Sequence, residues 1–597
     1  MADEQAKREE LIRQIASLPT GSLTKKTVKG REYWYLRVKE DGKRRELYVP
    51  RDEVESLREQ LALRKRLEQE LVKGGQREVP PRVEAFEGSV LVGDELREFA
   101  APVASFKKRA LYGKLRAFLE REPRDKVLVL CGLRRTGKTT LIRQAILDLS
   151  SDELARAAFM QVTPFDTLAQ VNRDLRKLAE RGYRTVFVDE VTLLSDFVEG
   201  AALFSDVFAT RGMHLVLSGT DSLGFVFAES EQLYDRCTLL RTTFIPYREF
   251  EEVLGVEGVD EYLRYGGTMS LGGRNYNEQS TFASKGSTDE YIDSAIARNI
   301  QHSLKCYQDG GHFRSLQELY DSDELTSAIN RVVEDVNHRF TLDVLSRDFE
   351  SHDLALSARN LRQDRKEPTD ILDRVDIEAI TRRLRDLLEI RDAAERTVEL
   401  SEGHVAEIRE YLALLDLVAS VSVVSMENLN DRRFRTIISQ PGLRYAQAEA
   451  LVESLLADDE FSDLSLVERN RVLERIRSEI MRRMMEDLVL LETALAFPRK
   501  QIFVLQFPVG EFDMVAFDPD AAHCEIYEVK HSAKAAPQQY RFLVEDGKCA
   551  QTEHRFGPIV AKRVLYRGKS FNEGEVEYVN VEEYLRNLPG AGEDRVL

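Results

Sequence analysis

Short apolar runs alternate with amphipathic segments over residues 84 to 250. The runs are Val127–Cys131, Ala157–Val162, Thr185–Val188 and His214–Leu217. A helical pattern separates each run from the next. Continuous apolar strands joined by helices are typical of a parallel sheet that is covered by helices. The pattern therefore predicts an α/β layer structure for this part of the chain.

Near the N-terminus, apolar and polar residues alternate with a period of two. Residues 24 to 49 therefore predict a small β-meander with turns at Gly30 and at Gly42. In the middle strand, apolar positions alternate with tyrosines and basic residues, so the two sets are predicted to lie on opposite faces. The basic and aromatic positions of the meander are Lys25, Lys26, Arg31, Tyr33, Tyr35, Arg37, Lys39, Lys43, Arg44 and Arg45. They either grip DNA phosphates and stack on bases, or form an ordinary solvated hairpin surface.

The pattern divides the chain into five segments. Residues 1–78 form the meander and a helix, and Gly74-Gly75 and Pro80-Pro81 mark a linker behind them. The remaining segments are an α/β core over 84–255, a helical lid region with a mobile loop over 256–355, a helical region with a winged-helix-like part over 356–485, and an α/β domain over 486–597. In the last segment, strands are expected at Gln501–Phe507, Glu511–Phe517 and Cys524–Lys530.

Composition narrows the class of protein. The 597 residues contain five scattered cysteines without CxxC spacing, which argues against a disulfide framework and a zinc site and favours the reducing cytoplasm. The polar, acidic first residues predict no secretion signal, and no stretch has the roughly 20 apolar residues that span a bilayer. The net charge of −18 argues against a protein that coats nucleic acid, but DNA can still bind at local basic surfaces.

A phosphate-binding motif follows the first apolar run. Residues 132 to 139 read Gly-Leu-Arg-Arg-Thr-Gly-Lys-Thr, the pattern of a P-loop, between a strand and a helix. Glycines let the backbone curl its N–H groups towards phosphate oxygens, and the helix N-terminus adds positive potential. Lys138 is assigned to the β- and γ-phosphates of ATP and Thr139 to Mg²⁺. The nucleotide-binding residues are expected to be Gly132, Arg135, Thr136, Gly137, Lys138, Thr139 and Thr140. The alternative is a glycine turn before an ordinary helix.

Two adjacent acids end the strand that begins at Thr185. Asp189 can hold the magnesium ion, and Glu190 can polarise the attacking water as a general base. After the next strand, Ser218 or Thr220 can contact the γ-phosphate or the water, although a plain turn explains these residues equally well. Arg236 is either an arginine finger for a neighbouring subunit or a surface residue.

These segments resemble the archaeal-ATPase-like group of AAA-type proteins, in which a C-terminal nuclease-like domain is frequent. The resemblance rests on the strand with Asp189 and Glu190, the turn at residues 217–222, the Arg236 segment with Ile245-Pro-Tyr-Arg-Glu-Phe250, and residues 262–267. It covers about residues 100 to 300 well. The family usually has Gly-Arg where this chain has Asp235-Arg236, and Leu-Ser where it has Tyr247-Arg248, which weakens the transfer of a finger role to Arg236.

The C-terminal segment carries a second constellation of charged residues. Glu511 and Asp513 lie on one predicted strand, and Glu528 and Lys530 lie on the next. This arrangement resembles the PD-(D/E)XK nuclease core, in which Asp513 and Glu528 would hold one or two Mg²⁺ ions and Lys530 would orient or help deprotonate the attacking water. The resemblance makes Glu486 the supporting helical acid, and Gln539 is expected on a following helix. The alternatives are an ordinary hairpin with charged ends and a nuclease fold without activity.

The combined prediction is an α/β protein with a P-loop AAA-type parallel sheet, a helical middle region and a C-terminal restriction-endonuclease-like domain. It is expected to use ATP and Mg²⁺ and to assemble as a ring, with six subunits as the expected number. The ring is expected to move or remodel double-stranded DNA and to cut it, and branched or junction DNA is among the candidate substrates. The alternative is a nucleotide switch or remodelling ATPase whose C-terminal domain only binds DNA or a partner.

Overall fold

The computed structural model describes residues 22–49, 85–268 and 400–589 with short gaps, and scattered positions within 54–64 and 314–340. The chain divides into two compact units, Met1–Ala85 and Phe86–Leu597. The predicted mobile loop at 266–288 lies almost wholly outside the described residues, as does most of the segment from 289 to 399. No helix of the described part is long and apolar enough to cross a membrane.

The first unit contains a three-stranded antiparallel sheet in the order β1-β2-β3, formed by Ser22–Val28, Arg31–Glu40 and Lys43–Val49. Its register pairs Lys26 with Tyr33, and Arg44 with Lys39, but it pairs Lys25 with Trp34 and Arg45 with Val38. In this register, the basic positions proposed for DNA contact are paired with members of both alternating sets of the middle strand.

A six-stranded sheet in the order β4-β6-β7-β8-β5-β9 forms the first half of the second unit. Only the pairing of β4 with β6 is antiparallel within this sheet. Its strands are β4 Ser89–Val92, β5 Val127–Cys131, β6 Ala157–Gln161, β7 Thr185–Asp189, β8 His214–Gly219 and β9 Cys237–Arg241. Strands β5 and β7 are buried along their whole length, because helices cover both faces.

The helices of this half begin and end close to the sheet strands. They are α1 Gly93–Ala100, α2 Tyr112–Glu120, α3 Lys138–Leu147, α4 Ser151–Leu154, α5 Leu168–Glu180, α6 Phe197–Gly200, α7 Tyr247–Leu254 and α8 Val259–Tyr265. Helix α5 starts at a reciprocal cap, in which the Thr167 hydroxyl accepts the Gln170 N–H and the Gln170 side chain accepts the Thr167 N–H. The short helix α9, Arg314–Asp321, follows later in the chain.

A second sheet of eight strands, in the order β11-β10-β12-β13-β14-β15-β17-β16, forms the C-terminal half. Its strands are β10 Val418–Ser425, β11 Arg433–Ile438, β12 Gln501–Gln506, β13 Glu511–Asp518, β14 His523–Lys530, β15 Ile559–Tyr566, β16 Phe571–Glu573 and β17 Val576–Asn580. The helices of this half are α10 Glu402–Leu414, α11 Pro441–Leu456, α12 Leu466–Ala496, α13 Asp546–Phe556 and α14 Val581–Asn587.

Two expectations from the sequence differ from this arrangement. The segment 356–485 was expected to be helical, but β10 and β11 lie within it and extend the C-terminal sheet, since β10 pairs in parallel with β12. The alternation of valine and serine in β10 is a strand pattern. The boundary expected at residue 486 falls in the middle of α12, so one continuous helix joins the two predicted segments.

One hydrophobic core joins the two halves of the second unit. Side chains of α7 and α8, such as Phe250 and Tyr262, pack with Met485 and Val489 of α12 and with residues of β12 to β14. Polar contacts accompany this core: Asp260 of α8 lies 2.7 Å from the His531 ring just after β14. The position of α7 and α8 is therefore fixed by the C-terminal half.

A buried acid lies in this joint. The Oε1 atom of Glu492, on α12, accepts the backbone N–H of Tyr247 at 2.6 Å. Burial raises the pKa of the Glu492 carboxyl to about 8, although the hydrogen bond from Tyr247 lowers it. The group is therefore largely protonated in the folded protein at neutral pH.

Replacement of Glu492 should change the pH dependence of stability. The unfolded chain loses the Glu492 proton near pH 4.5 and the folded chain near pH 8, so stability falls between these values, by about 1.4 kcal/mol per pH unit. Below pH 4.5 both states hold the proton and the penalty is absent. Glu492→Gln keeps the acceptor oxygen and removes the titration. We expect its advantage over the wild type in urea unfolding to grow from pH 5 to pH 8. The exposed Glu98→Gln is the control, and parallel curves for Glu492→Gln and the wild type would contradict the prediction.

Candidate active sites

The loop between β5 and α3 requires its glycines. A Cβ at Gly132, where φ is +145°, would lie 2.4 Å from the Thr242 carbonyl oxygen. Gly137, directly before α3, has φ +92°, which glycine adopts without steric cost. Arg135 also has positive φ, at 65°. The chain thus curls tightly between the end of β5 and the start of α3, as the motif predicts.

Lys138 and Thr136 stabilise this loop from inside. The buried Lys138 Nζ donates to the carbonyl oxygens of Gly132 at 2.7 Å and Leu133 at 2.9 Å. The Thr136 hydroxyl donates to the Leu133 carbonyl at 2.8 Å and lies 2.9 Å from the Thr242 hydroxyl. The Lys138 ammonium is therefore held at the loop, whereas the Thr136 side chain supports the loop's shape. Thr140 lies in the first turn of α3.

The order of the strands brings the acids of β7 to the loop. Strand β8 lies between β5 and β7, and parallel strands present their carboxyl ends at one edge. There Asp189 Oδ2 accepts the Thr139 hydroxyl at 2.9 Å, while Asp189 Oδ1 accepts the Ser218 hydroxyl. Hydroxyl and carboxylate oxygens are the ligand types that Mg²⁺ prefers. Thr139 and Asp189 therefore fit the metal site that the motif implies.

Glu190 has an unusual backbone at the same edge. Its φ of 57° is in the left-handed region, a conformation that costs free energy for residues other than glycine and clusters at functional sites. The Thr220 hydroxyl lies 2.9 and 3.1 Å from the two Glu190 carboxylate oxygens. Ser218 and Thr220 thus have separate partners: Ser218 orients Asp189 and Thr220 orients Glu190.

The structure does not bring Arg236 to this loop within one chain. Arg236 precedes β9, and its carbonyl accepts the Val127 N–H at the start of β5, the end of the sheet opposite to the loop. Its guanidinium, 45% exposed, forms an ion pair with Asp206 at 3.0 Å. Arg236 can therefore meet a nucleotide only if that nucleotide is bound by another subunit.

A buried ion pair that the sequence pattern does not predict lies behind the loop. Arg109 Nε lies 2.5 Å from Glu249 Oε2, and Arg109 also donates to the Thr136 carbonyl at 2.6 Å. Both side chains are buried. Glu249 belongs to the segment that carries the family resemblance, but nothing local in the sequence marks Arg109 as its partner. The pair fixes the loop to the first turn of α7.

In the C-terminal sheet, an irregular strand positions Asp513. The register between β12 and β13 shifts, so that Phe503 pairs with Val515 but Leu505 pairs with Phe512. Asp513 lies in this bulge, a feature that redirects side chains. Its Oδ2 accepts the Val529 N–H of β14 at 2.8 Å, beyond the last ladder pair of Met514 and Tyr527.

Lys530 lies between the two carboxylates of this site. Its Nζ is 3.2 Å from Asp513 Oδ2 and 2.5 Å from Glu528 Oε2. Burial and the charge of Asp513 raise the pKa of Glu528 well above its usual value. Burial opposes the charge of Lys530, but Asp513 and Glu528 outweigh it and raise the pKa of the ammonium. Lys530 is therefore held as a cation between the two carboxylates, which fits the orienting role predicted for it, and its role in deprotonating water stays a prediction.

The other predicted residues of this site have different partners. Glu486 lies 2.7 Å from Arg483 and 3.4 Å from Arg435; burial raises its pKa, but the two arginines lower it to about 2. Glu511 accepts from the Gln506 side chain at 3.1 Å and lies 4.0 Å from Arg483. Gln539 is the last residue of a short 3-10 helix, Pro537–Gln539, after β14, and its side chain donates to the Lys534 carbonyl at 2.9 Å.

The donor set for a metal ion in this sheet is incomplete. Within the described part of the chain, no group of three or more histidine, cysteine, aspartate or glutamate side chains can hold one. The buried Glu528 Oε1 atom, however, has no hydrogen-bond partner. An orphaned carboxylate oxygen beside Asp513 fits a cation with two protein ligands, whose other ligands come from water or substrate.

Comparisons with known proteins agree with the first of these sites. Residues 124–251 match the family model described as "AAA domain". This segment is an AAA-type P-loop ATPase domain. The match covers the P-loop, Asp189, Glu190 and the first turns of α7, and the family implies nucleotide binding and indicates ATP hydrolysis. The AAA-type part of the prediction is confirmed.

The other comparisons add less. Residues 1–59 match a "Domain of unknown function (DUF6788)", and no curated protein matches the chain. A solved structure of the Aeropyrum pernix ORC1 protein in complex with DNA is 16% identical and covers 64% of this chain and 96% of that chain, with a TM-score of 0.21. A TM-score this low supports no transfer of structure or function. Neither family match reaches the C-terminal sheet, whose likeness to a nuclease stays a proposal.

The Arg109–Glu249 pair should stabilise the ATPase domain. Glu249→Ala leaves the buried Arg109 guanidinium without its carboxylate, which costs about 3–5 kcal/mol. We expect a lower unfolding midpoint and weaker ATP binding, because Arg109 also holds Thr136. Glu120→Ala, which removes the exposed partner of Arg116, is the control and should cost less than about 1 kcal/mol. The double variant Arg109→Met, Glu249→Leu should recover much of the stability. An unchanged midpoint for Glu249→Ala would disprove this role.

Proposed function

We propose that this protein hydrolyses ATP in its AAA domain and cleaves DNA with its C-terminal domain, using Mg²⁺ in both reactions. The observation that carries the second half is the cluster of Asp513, Glu528 and Lys530, joined by contacts of 3.2 and 2.5 Å on adjacent strands. The first half rests on the P-loop and the acids that surround it.

The ATPase residues have separate tasks. Backbone N–H groups of the loop and Lys138 hold the phosphates, and Thr139 with Asp189 would hold a magnesium ion that neutralises phosphate charge. Glu190 orients the water that adds to the γ-phosphorus and accepts the proton of that water, while the bond between the γ-phosphorus and the bridging oxygen breaks and ADP leaves. Thr220 positions the Glu190 carboxylate from the neighbouring strand.

Glu190→Gln should separate binding from hydrolysis. The amide keeps the shape of the side chain but cannot polarise water, so we expect ATP affinity to stay within about threefold and turnover to fall by about 10²–10⁴-fold. Lys138→Ala should lose both affinity and turnover. Fluorescent ATP-analogue binding and phosphate release measure the two properties, with the exposed Glu180→Gln as control. Normal turnover in Glu190→Gln would remove Glu190 from the chemistry.

The fold around the C-terminal cluster supports the nuclease proposal. Helix α12 leads into the antiparallel strands β12, β13 and β14, and α13 then connects β14 to the parallel strand β15. This order resembles that of the PD-(D/E)XK core. Asp513 and Glu528 would hold the cation, which stabilises the attacking and leaving oxygens. Water adds to phosphorus and gives its proton to solvent, the bond to the leaving oxygen breaks and that oxygen takes a proton from solvent, and Lys530 balances the negative charge that develops.

A second candidate function has its own supporting observation. Glu486, which the resemblance makes part of the metal site, is engaged by Arg435 and Arg483. With that acid occupied, two carboxylates remain. The alternative is therefore a nucleotide switch or remodelling ATPase whose C-terminal domain binds DNA or a partner without cutting.

Assembly belongs to the same proposal. Because Arg236 lies at the end of the sheet opposite to the P-loop, a finger role requires a neighbouring subunit, as in a ring of about six subunits. Double-stranded DNA, including branched DNA, is the proposed substrate of such a ring. The ion pair with Asp206 would have to open for Arg236 to reach a nucleotide.

Replacement of one carboxylate should decide between the two functions. Asp513→Asn removes a charge from the cluster, whereas Asp518→Asn makes the same change at the far end of the same strand. With Mg²⁺, ATP and labelled linear, single-stranded and four-way DNA, we expect the wild type and Asp518→Asn to cleave. Asp513→Asn should lose at least about 10²-fold in rate while its ATPase activity stays normal.

Two other outcomes would change the conclusion. Absence of cleavage by the wild type with Mg²⁺ or Mn²⁺, together with ATP turnover that DNA stimulates, would favour the motor or switch. An ATP turnover rate that none of the DNA substrates changes would favour a role in protein remodelling.

A further inference from the structure

A cavity of about 350 Å³ lies beside the Asp513 cluster and is not used by the proposed chemistry. Its wall is formed mainly by α10, α12 and strands β10 to β13, and its charged and aromatic residues include Arg409, Arg433, Phe434, Arg435, Arg483 and Glu511. A volume in this range accommodates a small organic ligand, such as one nucleotide unit.

The charge of this arginine cavity favours an anion. Four arginines line it against two carboxylates, Asp487 and Glu511. Arg435 and Arg483 are held in place by ion pairs with Glu486, and Arg435 also pairs with Asp487. Guanidinium groups fixed in this way present donors in a set geometry, which suits the oxygens of a phosphate.

An exposed aromatic ring lies between two of these arginines in sequence. Phe434 is on β11, the edge strand of the sheet, and is 60% exposed, flanked by Arg433 and Arg435. An exposed phenylalanine side chain contributes little hydrophobic stabilisation to the fold. Aromatic rings beside basic side chains are, however, the usual platform for stacking of nucleic-acid bases.

The arginine cavity adjoins the candidate nuclease site. Arg483 lies 4.0 Å from Glu511, which is two residues before Asp513 on β13. Glu486, the partner of Arg483, also interacts electrostatically with Lys530. If one phosphate of a DNA strand lies at Asp513, a neighbouring nucleotide of the same DNA strand therefore lies close to the cavity.

We propose that the arginine cavity binds one nucleotide of a DNA strand, with its phosphate at Arg433 and Arg409 and its base stacked on Phe434. This inference rests on the proposed function, because it supplies the contact that holds the strand next to the scissile phosphate. Neither arginine belongs to the carboxylate cluster, and no residue of the AAA domain takes part.

Binding of a short oligonucleotide tests this site. The full chain is titrated in EDTA, which prevents cleavage, into a fluorescein-labelled single strand of twelve nucleotides. Arg433→Glu should weaken binding by about tenfold or more, and Arg433→Ala should lower the salt dependence by about 0.7 in slope, the value for one lost phosphate contact. Arg499→Glu, an identical charge change on an exposed residue at the other end of β12, should stay within about twofold of the wild type.

A second readout reports stacking. With 2-aminopurine in the strand, we expect a fluorescence change on binding to the wild type that Phe434→Ala abolishes at saturating protein, with affinity reduced by about tenfold. Unchanged unfolding midpoints show that the variants are folded. Unaltered affinity in Arg433→Glu and an unaltered signal in Phe434→Ala would overturn the proposal.

The outcomes separate this inference from the proposed function. If Asp513→Asn binds normally but Arg433→Glu does not, while the wild type cuts no DNA, the cavity stands and the nuclease proposal fails. If the wild type cleaves and Arg433→Glu binds and cleaves equally well, the nuclease stands and the cavity proposal fails. A third outcome is that Arg433→Glu weakens the binding of free dAMP but leaves the affinity for the oligonucleotide unchanged. The cavity would then bind a free nucleotide, and the proposal that it binds a DNA strand would be wrong.

Discussion

The hydrogen bond from Tyr247 to Glu492 is the constraint on which the second unit depends. Tyr247 is the first residue of α7, and its N–H has no partner within that helix. Glu492, near the C-terminal end of α12, is buried and supplies the acceptor at 2.6 Å. Separation of the two helices would orphan an N–H and expose a core to which both halves contribute. The ATPase domain and the C-terminal sheet are therefore joined through the interior, unlike domains connected by a flexible linker.

Two short series of contacts leave this joint. Along α7, Glu249 holds Arg109, which holds the Thr136 carbonyl of the P-loop. On α8, Asp260 contacts His531, the residue after Lys530. A shift of the loop on nucleotide binding would therefore act on the helices α7 and α8, which pack in the same core as α12 and β14. A continuous series of contacts of this kind permits energetic coupling between the P-loop and the end of β14. Such coupling also requires that the packed helices between them can adopt two alternative conformations.

Local signals in the sequence predict much of this molecule, and contacts between distant residues supply what they miss. The P-loop and strand β5 were predictable because glycines, Lys138 and an apolar run lie within 13 consecutive residues. The strand with Asp513 was predicted from alternation, but the bulge that turns Asp513 towards Val529 depends on pairing with β12. Strands β10 and β11 were assigned to a helical segment because their place beside β12 depends on a partner about 80 residues away. Arg109 and Glu249 are 140 positions apart, so no local sequence pattern predicts that they form an ion pair.

Charge balance links the two features of the C-terminal half that the sequence did not connect. Glu486 is negative because Arg483 and Arg435 surround it, and the same arginines line the cavity beside β11. A phosphate bound at Arg433 and Arg409, as proposed, brings negative charge into the same cavity and so lowers the positive potential that Arg435 and Arg483 provide at Glu486. A cation near Glu486 would compensate for this loss, and a divalent ion held by Asp513 and Glu528 would supply that charge. Under the proposed function, the charge of a bound strand and the charge of the metal site therefore depend on each other, and the ion pairs of Glu486 in the free protein are compatible with cleavage of a bound strand.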